Sequence, residues 1–174
     1  MPGTPHPVLG SDGTTLLLSF LLAFITIFAP VATIRQSSRS DRVAVVGSIG
    51  YALAAIVAWF GVRRVFYHHV VDPGVDPTLF ALIVGIGVLT LTVQSALPLL
   101  LYARRRYLTP LLGLFAVTVL IYYAFLRVGG ESDPLGLYAF AFGPLIIAAL
   151  GVLAAIEAAV RMGLPKLKAC VGQL

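Results

Sequence analysis

Charge is what this sequence has least of. Only 11% of its 174 residues are charged, 59% are hydrophobic, and mean hydropathy is +0.99. Soluble domains carry about 25% charged residues. A water-soluble globule this poor in charge would expose more apolar surface than it could cover. The composition therefore excludes that class and points to an integral membrane protein. Cysteine is nearly absent as well. Cys170 stands alone, so no disulfide within the chain is available. Histidine occurs three times, at 6, 68 and 69, all close to one predicted membrane level. Buried bis-histidine haem ligation is not expected, and no cofactor is expected. The chain also lacks an HExxH zinc motif, a phosphate-binding P-loop and a G-x-S-x-G nucleophile elbow. Spaced arginines of the voltage-sensor type are missing from every apolar run. These absences argue against an enzyme.

What is present is length without charge. The runs 14–34, 43–62, 78–103, 107–126 and 135–156 contain no charged residue. Each is long enough to cross ~30 Å of hydrocarbon at ~1.5 Å per residue. A lipid-facing span must satisfy its own backbone, which favours helices. The expected fold is an all-α integral membrane protein, a compact bundle of five transmembrane helices with short loops. The helices are predicted over about 14–34, 43–62, 78–103, 108–127 and 135–160. Stretches between them are short, so residues 1–174 read as a single transmembrane domain with no soluble domain. The flank before the first run has no Lys or Arg, which favours a retained helix over a signal peptide.

The basic residues sort by turn. Arg35, Arg39 and Arg42 lie between the first and second runs, Arg104, Arg105 and Arg106 between the third and fourth, and Arg161, Lys166 and Lys168 at the C-terminal end. All nine fall on one side of a five-helix arrangement, and Arg63, Arg64 and Arg127 fall on the other. The excess predicts a cell-membrane protein with the N-terminus outside and the C-terminus cytoplasmic. Basic residues confined to turns in this way mark orientation, so nucleic acid is not an expected partner. Candidate helix caps are Asp12, Ser40 or Asp41, Asp76, Thr109 and Asp133, several followed by proline. Aromatics such as Trp59, Phe60, Tyr122, Tyr123, Tyr138, Phe140 and Phe142 are expected in an interfacial belt with polar tips near water.

Three places carry candidate chemistry. Gln94 lies well inside the third run, and Pro98 frees its backbone carbonyl. With Tyr51 and Thr118 at similar depth, and with Glu157, it defines a candidate polar path. The plainer reading of the same residues is interhelical hydrogen bonding. His68, His69 and Asp72 form a weak candidate metal set on the outer face, against the plainer reading of a solvated turn. Glu157 is the one acid inside an apolar run, and Arg161 follows at i+4, which predicts a helical ion pair. The fifth helix carries Gly151, Ala155 and Ala159, a small-residue stripe that lets helices approach closely. The leading expectation is a non-enzymatic accessory or scaffold protein whose partners are the bilayer and a homo-oligomer or another membrane protein met through that helix. The alternative is a small transporter or channel-like protein using the path near Gln94.

Overall fold

The computed structural model describes residues 6–7, 10–67, 76–128 and 134–171, with side chains over 10–65, 76–127 and 134–163. Nearly all of these residues are helical. Helices α1 (Asp12–Gln36), α2 (Ser40–Tyr67), α3 (Pro77–Arg105) and α4 (Thr109–Phe125) follow in order. A short α5 (Pro134–Leu137) then runs through a π-helical turn, Tyr138–Phe142, into α6 (Gly143–Val171). The one strand pairing among the described residues is His6–Pro7 against Arg127–Val128, antiparallel.

Four helical stretches are long and apolar enough to cross a membrane: Asp12–Gln36, Ser40–Val65, Pro77–Arg105 and Pro134–Gly163. Helix α4 is shorter, at 17 residues. That is about 25 Å of helix, at the low end of what spans hydrocarbon. It ends at Phe125, two residues before the expected 127, because Arg127 and Val128 turn out to pair with His6 and Pro7. Helix α2 runs beyond the expected 62 and takes Arg63 and Arg64 into its last turns.

The helices pack pairwise. Helix α2 lies along α3, α1 packs on α2 and α4, and α6 packs on α3 and α4. The core they share includes Ile27, Trp59, Leu91, Leu99, Leu114 and Leu150. In lipid such packing is driven by close fit and hydrogen bonds, since the tails are as apolar as leucine. Glycines supply the closest approaches. A Cβ on Gly47 would stand 2.7 Å from Pro30, and one on Gly87 2.8 Å from Leu135. One on Gly113 would stand 2.7 Å from Leu153, and one on Gly143 2.2 Å from Thr90.

The starts of α1 and α4 differ from expectation, and Asp133 lies outside the described residues. Ser11, not Asp12, caps α1: its side chain accepts from the Thr14 N–H at 3.2 Å. Asp12 instead pairs with Arg127 and accepts from the Tyr123 hydroxyl. Asp41 gives its carboxylate to Arg104 at 3.0 Å. Helix α4 has no side-chain cap of its own at Leu108. Asp76 caps α3 as expected, accepting from the Thr78 N–H at 2.8 Å, and those bonds hold its carboxyl below the usual range.

Candidate functional site

Polar side chains can be buried in an apolar bundle only where each finds a partner. Helix α1 solves this locally. Ser19 donates to the carbonyl of Thr15 at 2.7 Å, and Thr26 donates to that of Leu22 at 2.8 Å. Back-bonding of this kind lets a hydroxyl lie on a buried helical face. Helices α2, α3, α4 and the π turn solve it between elements, and the sequence candidates meet there.

Gln94, Ser95, Ser48, Thr118 and Tyr51 are all buried. The Gln94 side-chain oxygen accepts a hydrogen bond from the Tyr138 hydroxyl, which the π turn carries inward. Ser95 donates to the carbonyls of Leu91 at 2.9 Å and Ser48 at 3.3 Å, tying α3 to α2. The Thr118 hydroxyl donates to the carbonyl of Leu114 at 2.6 Å. A 3.0 Å hydrogen bond also joins the Thr118 and Tyr51 hydroxyls. That bond joins α2 to α4. Three buried core groups have no hydrogen-bond partner among the described residues: the Gln94 amide nitrogen, the Tyr122 hydroxyl and the Trp59 indole nitrogen. The layer contains no acid, base or histidine. It can orient hydrogen-bonding groups, but it offers no general acid–base pair near neutral pH.

Trp59, Tyr122 and Tyr138 are core residues, where an interfacial belt was expected. Trp59 stacks near Phe80 and lies beneath Arg63, whose guanidinium carbon is 4.8 Å from the ring centre. Phe60, Phe140 and Phe142 do face outward.

Glu157 belongs to a different constellation. Its carboxylate accepts the backbone N–H groups of Leu108 at 3.2 Å and Thr109 at 2.8 Å. It also pairs with Arg161 at 2.6 Å, the predicted i+4 partner. Arg161 in turn donates to the carbonyls of Arg105 at 3.1 Å and Arg106 at 2.8 Å. The pair on α6 therefore closes the α3–α4 turn from outside. Glu157 caps α4, whose first N–H groups have no local acceptor, and Arg161 closes α3, whose last carbonyls are free. Arg106 adopts a left-handed conformation there, with φ 55°. Gln94 lies eleven residues before Arg105, some ~16 Å along the helix. The structure thus separates Glu157 from Gln94, Tyr51 and Thr118.

The basic turns meet at one end of the bundle. The Arg104–Asp41 pair joins the α3–α4 turn to the start of α2. Arg35, Arg39, Arg42, Arg104, Arg105 and Arg106 are all exposed there. His68, His69 and Asp72 lie outside the described residues; among the described residues no three His, Cys, Asp or Glu side chains gather as a metal set.

The sequence carried a signal for the Glu157–Arg161 pair but none for its capping role, which depends on a turn about fifty residues away. Tyr138 as the partner of Gln94 was equally hidden, because the belt reading sent it to the interface. No protein-family model, curated protein or solved structure matches this chain.

Proposed function

We propose that the chain is a multi-pass protein of the cell membrane, with all five helices crossing, the N-terminus outside and the arginine-rich end in the cytoplasm. It acts without enzymatic activity, as an accessory or scaffold component that packs against a second copy or another membrane protein through α6. One observation carries this reading. The glycines at 47, 87, 113 and 143 are each filled by a neighbouring helix, whereas a Cβ on Gly151, as on Gly50, Gly61 and Gly85, would meet nothing within 4 Å. Ala155 and Ala159 on the same stripe are exposed. A close-packing surface is left unused within the monomer, and small residues at that spacing favour another helix over lipid.

The test is oligomeric state. Light scattering of the purified protein in detergent should give an assembly, and Gly151→Leu with Ala155→Leu should shift it toward monomer. A wild-type protein that is monomeric and captures no membrane partner would overturn the proposal.

A second reading, a small transporter, has the unpartnered Gln94 nitrogen and Tyr122 hydroxyl in its favour. Under it, Gln94→Leu abolishes a solute flux in liposomes. Flux unchanged by that substitution removes Gln94 from any path.

A further inference from the structure

Helices α1 and α2 do not close on each other along their full length. Gly47 brings them into contact at Pro30. Around that contact runs an apolar groove of about 400 Å³, lined by Thr26, Pro30, Thr33, Val43, Gly50 and Tyr51 among others. It is open along one side. Its volume is within the ~300–1,000 Å³ of ordinary ligand pockets. Gly50 leaves part of it unfilled, since a Cβ there would meet nothing within 4 Å.

The groove runs toward the α1–α2 turn. Thr33 and Val43 line its end nearest that turn, and Arg42 precedes the lining residue Val46 by one helical turn, on the same face. Arg39 lies within the turn, and Arg35 is in the last turn of α1. All three arginines are exposed, and none has an ion-pair partner among the described residues. The nearby acid, Asp41, is taken by Arg104. From Arg42 to Tyr51 is nine residues, ~14 Å along the helix, about half the ~30 Å thickness of hydrocarbon. An apolar slot thus runs from mid-bilayer to a cluster of uncompensated positive charge at headgroup level.

We propose that this groove and turn bind an anionic phospholipid, with one acyl chain in the slot between α1 and α2 and the phosphate on Arg39 and Arg42. The two halves of the site match the two halves of such a molecule. Basic residues at the membrane surface attract anionic lipid over zwitterionic lipid, and the slot gives an acyl chain a fixed place. The proposal rests on the bilayer placement but not on association through α6. A monomer that retains anionic lipid would leave it standing.

The experiment uses the full chain in non-ionic detergent, offered phosphatidylglycerol and phosphatidylcholine at equal concentration and examined by native mass spectrometry. Phosphatidylglycerol should be retained over phosphatidylcholine by on the order of ten-fold. Arg39→Gln with Arg42→Gln should remove that preference. Gly50→Leu, whose Cβ would stand in open space within the slot, should lower retention of both lipids. Melting temperatures in lipid-free detergent check that each variant is folded, and Gly50→Val serves if Gly50→Leu is not. Equal retention of the two lipids by the wild-type protein would overturn the site. So would a double arginine variant that keeps the preference, or displacement of the lipid by inorganic phosphate alone. Unchanged retention in a folded Gly50 variant would remove the slot from it.

Discussion

The two halves of the last helical rod are held in opposite ways. The first half, from Pro134 to Leu150, is built into the bundle. Leu135 fills the space at Gly87, Tyr138 reaches Gln94, and Gly143 lies against Thr90. The second half, beyond Leu150, touches the rest of the chain along one line. Leu153 packs at Gly113, and Glu157 and Arg161 close the α3–α4 turn. Its other side, with Val152, Ala155, Ile156, Ala159 and Val160, faces outward. One continuous rod therefore combines a segment held by shape with a segment held by two charged side chains. The first is locked along its inward face, although Phe140, Phe142 and Leu145 point outward, whereas the second presents small residues on its outward face.

Substitutions can break or sharpen that contrast, all read by unfolding of the purified protein in detergent. Gly143→Ala should be the most damaging. The new methyl would meet Thr90 at 2.2 Å and the carbonyl of Tyr138 at 3.1 Å, an overpacking of about 1–3 kcal/mol. Thr90→Ala in the same chain should restore most of the loss. If Gly143→Ala is neutral, the first half is not shape-locked. Glu157→Ala should come next, at about 1–2 kcal/mol, the usual cost of a lost cap. Glu157→Gln should recover part of it through one accepted N–H. Equal stability of all three proteins would mean that the turn holds without α6. Tyr138→Phe should cost about 0.6–1.7 kcal/mol, the range measured for hydrogen bonds between membrane helices. Gln94→Leu added to it should cost little more, because the pair is then already broken. Gly151→Ala should be the mildest, within about 0.5 kcal/mol, as for open surface positions. A large effect there would show that Gly151 is packed, and the oligomeric state of the variant would tell packing within the chain from packing against a second copy.

Much of the architecture is written in the absence of charge. The runs 14–34, 43–62 and 78–103 lie inside α1, α2 and α3, because a long stretch free of charge has one stable backbone in lipid. The all-helical character follows from the same cause. The direction in which each side chain points is much harder to read. When nearly every residue is apolar, periodicity no longer marks an inner face. Trp59, Tyr122 and Tyr138 are therefore indistinguishable in sequence from outward-facing aromatics such as Phe140. Capping was readable only where the acceptor is local. Asp76 sits beside the N–H it serves, but Glu157 serves Leu108 and Thr109 across the bundle. Of the polar candidates, Tyr51 and Thr118 do meet, and Gln94 meets a residue that no spacing could nominate.

The π turn at Tyr138–Phe142 acts as a phase setting for everything after it. Its backbone bond runs from the Gly143 N–H to the Tyr138 carbonyl, one residue longer than an α-helical bond. Closing that turn to ordinary α geometry with every residue kept would turn the rest of the rod by about 100° about its axis. Gly151, Ala155 and Ala159 would swing away from their outward bearing, and Glu157 would leave the turn it closes. The five residues of that turn thus set the compass direction in which this molecule presents its small-residue surface to whatever lies beside it.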